Sequence, residues 1–95
     1  MRERRGQDAE GELRWAMSAL GWREGELVDG AKGSERKQVL AWWLRKRTVA
    51  GRAWIAERLR MGHPTRVTWA VSRVRRAAGG ELARWRNRLD KQADR

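Results

Sequence analysis

The 95-residue chain contains no cysteine, no tyrosine and no phenylalanine, and it has a single proline and a single histidine. Without cysteine there can be no disulfide and no thiolate metal site. One histidine offers little to a metal, so neither a metal nor a cofactor is expected. No apolar run approaches the roughly 18 residues that span a bilayer, and no signal-peptide core follows the charged Met1–Arg5 start. No membrane contact is expected, and the anticipated location is cytoplasmic, at the nucleoid. Acidic residues are also scarce: 12 Asp and Glu face 23 Lys and Arg, a net charge of +11. GC-rich codon usage would explain arginine in place of lysine. It would not explain cations outnumbering anions about two to one. That excess points to a polyanionic partner, of which nucleic acid is the usual one.

A chain of this length makes one domain that buries roughly 60–65% of its unfolded surface. Hydrophobic residues are 40% and charged residues 37% of the total, a balance that fits a small globular helical protein rather than a disordered tail. The expected fold is all-α: a compact bundle of four to five helices spanning residues 8–92, after a flexible basic segment over 1–7.

Glycine and proline divide the sequence. A first helix from about Asp8 to Leu20 aligns Leu13, Ala16, Met17 and Leu20 on one face, and Gly21 stops it. Four glycines make Gly21–Gly33 a connector, anchored by Trp22 and Leu27. Ser34 is an N-cap for a second helix to about Arg47, with Glu35 at the positive end of its dipole. Val39, Leu40, Trp43 and Leu44 form its buried stripe. A third helix over about Gly51–Arg60 buries Ile55, Ala56 and Leu59. Met61-Gly62 then breaks the pattern. Pro64 opens a fourth helix to about Ala78, burying Val67, Ala70, Val71 and Val74. After Gly79-Gly80, an extra C-terminal helix over about 81–92 carries Leu82, Trp85 and Leu89.

The third and fourth helices with the turn between them have the requirements of a helix-turn-helix, here about 51–78. Ala56 is the small residue, Leu59 packs, Met61-Gly62 turns, and Val67 and Val71 back the second helix. In that motif the second helix lies in the major groove of DNA. Placing Val67 inward turns Thr65, Arg66, Thr68, Trp69, Ser72, Arg73 and Arg76 outward, with no acid among them. Hydroxyls and guanidiniums reach phosphates and base edges, and a threonine methyl packs on thymine. His63 and the amides after it would clamp phosphate at the helix start. Flanking phosphate contacts are expected from Lys37, Lys46, Arg47, Arg52, Arg84 and Arg88.

Several of these residues form a recognisable series: Lys32-Gly33-Ser34-x-Arg36-Lys37, Leu40-Ala41, Leu44-Arg45, then Trp54-Ile55-Ala56-Glu57-Arg58-Leu59-x-Met61-Gly62 and Val67. With Leu20-Gly21-Trp22 and Leu27 upstream, they resemble the C-terminal region of REP-associated tyrosine transposases and related transposase-like proteins. The likeness covers roughly Glu12 to Val74. More distantly, Thr65-Arg66-Val67-x-x-Ala70 is similar to the DNA-reading helix of the replication initiator's C-terminal domain, in the Trp-repressor-like class. The resemblance implies that Thr65, Arg66 and Thr68 contact DNA. The transposase's catalytic half needs a His-hydrophobe-His metal site and a tyrosine nucleophile. One histidine and no tyrosine leave no room for that chemistry, so a freestanding DNA-binding domain is expected and not an enzyme.

A second reading comes from the seven tryptophans. Trp15 and Trp42 fall outside their helices' inward faces. They pack on each other or on the last helix, or else they form a homodimer or protein-partner surface. Trp69 could stack on unpaired bases. The alternative is therefore an RNA-binding or protein-interaction subunit of a nucleoprotein complex. A membrane-surface peptide fits poorly, because the basic residues surround several core stripes and not one amphipathic helix.

Overall fold

A computed structural model describes residues 5–93 and is all-helical there: α1 Arg5–Leu20, α2 Glu24–Asp29, α3 Glu35–Arg47, α4 Arg52–Arg58, α5 Pro64–Arg76 and α6 Gly80–Ala93. Six helices replace the expected four to five. The addition is α2, a short helix inside the segment read as a glycine connector. Its glycines disguised it; the Glu26 carboxylate accepts the Arg23 amide at its start, and Arg58 and Arg36 hold its Glu24 and Glu26 from other helices. Helix α1 begins at Arg5, three residues before the expected start; Met1–Arg4 lie outside the described residues.

The capping chemistry follows the sequence closely. Ser34 accepts a hydrogen bond from the Lys37 amide and starts α3. Gly21, at φ 76°, ends α1, with its amide on Ser18 O at 3.1 Å and that of Trp22 on Met17 O at 2.8 Å. The two bonds make a left-handed helix stop in which glycine carries no steric penalty.

Helix α3 is the centre of the molecule, with α1, α4, α5 and α6 packed around it. Every residue from Lys37 to Leu44 is buried. A helix surrounded on all sides loses its one-sided stripe, which is why Trp42 reads as outward-facing in sequence yet lies in the core at 5% exposure. Trp42 is therefore no surface for a dimer or partner. Trp15, 38% exposed, stacks on Trp43 with ring centroids 5.3 Å apart. Trp43 in turn is tilted against Trp42 and donates its indole N–H to Glu12 at 3.1 Å. On the other side, Trp22 meets Trp85 of α6 edge to face at 4.8 Å. Most of the tryptophans thus join helices to one another.

No helix among the described residues is long and apolar enough to cross a membrane.

Candidate nucleic-acid interface

Helices α4 and α5 are joined by a turn at Leu59–His63 with an unusual component. Arg60 takes the left-handed φ of 57° that glycine normally supplies. Its amide bonds Glu57 O at 3.2 Å, and the Met61 amide bonds Ala56 O at 2.8 Å. This is the same double hydrogen bond that ends α1. Gly62 follows at φ 96°, where a side chain would also press on the aliphatic stem of Lys32, 3.2 Å from a Cβ built there. Two reversals of backbone hand, at Arg60 and Gly62 on either side of Met61, redirect the chain into α5.

Lys37 corrects an expectation. Its side chain is 1% exposed, not available to phosphate. The ammonium instead donates to Gly30 O at 3.1 Å and to Arg60 O at 3.0 Å. It ties the α2–α3 loop to the α4–α5 turn. Burial, with the charges of Arg60 and Lys32 nearby, holds its pKa below the usual lysine value. A cation at the foot of a basic cluster looks like a surface charge in sequence; here the reversed carbonyl of Arg60 gives it an internal partner.

Val67, Ala70 and Val74 are buried against the rest of the bundle. They fix the outward direction of the remaining α5 side chains. Thr65, Arg66, Thr68, Trp69 and Arg76 are exposed, and Ser72 and Arg73 are half-buried. His63 caps the helix, its Nδ1 accepting from the Thr65 amide at 3.1 Å. Arg66 reaches back over Gly33, with Nη1 3.2 Å from where a Cβ on that glycine would stand. Arg52, at the start of α4, donates through Nη1 to Thr68 Oγ1 at 2.8 Å and so joins the α5 face. Trp69 is 50% exposed, with the Arg73 guanidinium 5.0 Å from its ring centroid.

The other expected contacts scatter. Lys46 pairs with Asp90 at 2.7 Å and lies 4.9 Å over the Trp42 ring. Arg47 lies over Trp43, beside Glu12 and Trp15, away from α5. Arg84 pairs with Glu81 at 3.4 Å, and Arg88 is exposed on α6. Helix α6 packs chiefly on α3 and α1.

The charge distribution sharpens the picture. Residues 36–80 hold twelve of the lysines and arginines but a single carboxylate, Glu57. Folding does bring two carboxylates near the far end of α5, since Glu35 and Glu81 share a shallow depression with Arg73 and Arg76. Glu57 shares a depression with Gly62 and Pro64 at the start of α5, so the stretch without a carboxylate of its own is Thr65–Trp69 with Arg52.

Sequence reasoning missed Arg58. Its guanidinium holds Glu10 of α1 through two bonds and Glu24 of α2 through two more. These bonds hold both carboxyls below the usual range and raise the Arg58 pKa. Nothing local announces this, because the partners are 48 and 34 residues away.

Compared with known proteins, the chain matches no protein-family model, no curated protein and no solved structure.

Proposed function

We propose that this protein is a DNA-binding module, selective for sequence or DNA structure, that places α5 in the major groove of duplex DNA. The observation that carries the reading is the outer face of α5. Thr65, Arg66, Thr68 and Trp69 are exposed together, Arg52 is hydrogen-bonded to Thr68, and none of the five carries a carboxylate. A solvated helix face in an ordinary protein mixes both signs. A surface of hydroxyls and guanidiniums seated on a braced helix suits base edges and phosphates. The likeness of Trp54–Gly62 to the transposase C-terminal region supports an accessory or regulatory role alongside such an element, at the nucleoid. No catalysis is assigned to the chain itself.

The test is fluorescence anisotropy with random duplex DNA, hairpin DNA and structured RNA, each at two salt concentrations. Binding of duplex or hairpin DNA that is lost in Arg66→Ala and Thr68→Ala is the expected result. Arg66→Ala should reduce discrimination between sequences by about 1–3 kcal/mol. Variants that bind every duplex and hairpin with the affinity and selectivity of wild type would overturn the assignment of α5.

Trp69 favours a second reading. A half-exposed indole, with arginine on one face of its ring, is a platform on which an unpaired base can stack. RNA binding that depends on Trp69 and not on Arg66 would move the protein into a nucleoprotein complex instead.

A further inference from the structure

Helix α5 has two flanks, and their electrostatics differ. Thr68, Val71 and Arg75 fall along one side at i, i+3, i+7 spacing, while Arg66 and Arg73 fall along the other; Ala77, the C-cap, borders both. On the second flank the depression beside Arg73 and Arg76 is balanced by Glu35 and Glu81. The first flank opens into a cleft of about 670 Å³ between α3, α5 and α6. Its walls carry Arg45, Lys46, Arg75 and Arg86, its floor includes Trp42 and Val71, and no carboxylate lines it.

Three of the four cations are fixed in place. Arg45 donates to Ala50 O at 3.2 Å, and Lys46 pairs with Asp90 just outside the cleft. Arg86 donates through Nη1 to Val74 O at 2.7 Å and Ala77 O at 2.8 Å, closing the C-terminal end of α5. These arginines retain further N–H donors, since a guanidinium carries five. The Arg75 side chain makes no hydrogen bond or ion pair among the described residues. With Lys46 offset by Asp90, the three arginines Arg45, Arg75 and Arg86 repel each other around one concavity, and an anion between them offsets that repulsion.

We propose that this cleft is a phosphate clamp for one strand of bound duplex DNA, with Arg45, Arg75 and Arg86 as contacting groups. The inference rests on α5 lying in the major groove. A helix in a groove about 12 Å wide has a phosphate backbone along each flank. On the cleft side that backbone passes Thr68 with Arg52, then Arg75, and reaches the cleft. On the other side it passes the depression that holds Glu35 and Glu81. The grip is therefore lopsided, and one strand is held more firmly than its complement.

The salt dependence of duplex binding tests this, using the full chain, Arg75→Gln and Arg45→Gln, with circular dichroism confirming that each variant folds. Each substitution should lower the slope of log affinity against log salt by about 0.9. Between about 50 mM and 200 mM salt, each variant then loses roughly three-fold less affinity than wild type. Every duplex sequence should weaken alike, and ethylation of phosphates should interfere on one strand more than on the other. Unchanged slopes, or losses confined to particular sequences, would overturn the clamp while leaving the α5 reading intact if Arg66→Ala still loses discrimination. A labelled acidic peptide that binds wild type more tightly than duplex, and is lost with Arg75→Gln, would also overturn it and give the cleft to a protein partner. A chain that binds no duplex removes both proposals together.

Discussion

Arg58 meets the Glu10 carboxylate side by side, Nε to Oε1 at 2.8 Å and Nη2 to Oε2 at 2.7 Å. The geometry is the fork-to-fork pairing that makes arginine the preferred partner of a carboxylate. Glu24 takes the remaining edge, so one guanidinium on α4 holds α1 and α2 at once. Arg58→Ala should cost about 1–3 kcal/mol, read as a lower denaturant midpoint. Arg58→Lys should recover little of it, because a point charge cannot hold two carboxylates in parallel.

The same trio sets a pH dependence. Both carboxyls have folded-state pKa values below the usual range, first because Arg58 donates hydrogen bonds to them and second through its charge. A depressed carboxyl contributes stability that is present above its unfolded pKa, about 4.3 for glutamate. That contribution is lost as pH falls through the folded value. Thermal midpoints measured from pH 7 downward should stay level to about pH 5 and then drop. Glu10→Gln should flatten the drop, and an unchanged profile would remove Glu10 from its origin.

Lys37 should behave as a structural cation and not as a phosphate ligand. Lys37→Met strands the carbonyls of Gly30 and Arg60, and a buried unpaired polar group costs about 1–3 kcal/mol. The folded fraction of the variant should bind duplex DNA with the wild-type salt slope. A slope lower by about 0.9 would restore Lys37 to the phosphate contacts.

Arg60 holds a backbone conformation that L-residues with a Cβ adopt at a cost of about 1–2 kcal/mol. Arg60→Gly keeps the carbonyl that Lys37 needs and removes the strain. Part of that gain returns to the freer unfolded chain, leaving a net stabilisation of about 0.5–1 kcal/mol. Gly62→Ala, two residues on, should destabilise, since it adds a side chain at positive φ against Lys32. If both substitutions destabilise, the turn owes its shape to something other than these dihedrals.

The helices were legible where the chain punctuates itself. Gly21, Ser34, Pro64 and Gly79-Gly80 mark ends that the structure places within a residue or two, because caps act through bonds a few residues long. The apolar stripe of α5 was legible for the same local reason: one face meets the core and the other meets solvent. The stripe of α3, Val39, Leu40, Trp43 and Leu44, was legible too, but burial on its other sides leaves no periodic signal, and Trp42 and Lys37 were misplaced for that reason. Helix α2 and the Arg58 clamp depend on partners far along the chain. The outward set on α5 could be read from spacing alone. The cleft at Arg45, Arg75 and Arg86 could not, because it exists only once three helices meet.

The stacking of Trp15 on Trp43, with planes 22° apart, has an optical consequence. Two indoles that close and held at a fixed angle couple their electronic transitions, and Trp42 adjoins the pair. The far-ultraviolet circular dichroism of this protein should therefore carry an exciton couplet on top of its helical bands. Helix content taken from the amplitude of those bands would be misjudged in the native protein, and Trp15→Leu would remove the Trp15–Trp43 contribution while leaving those of Trp42–Trp43 and Trp22–Trp85.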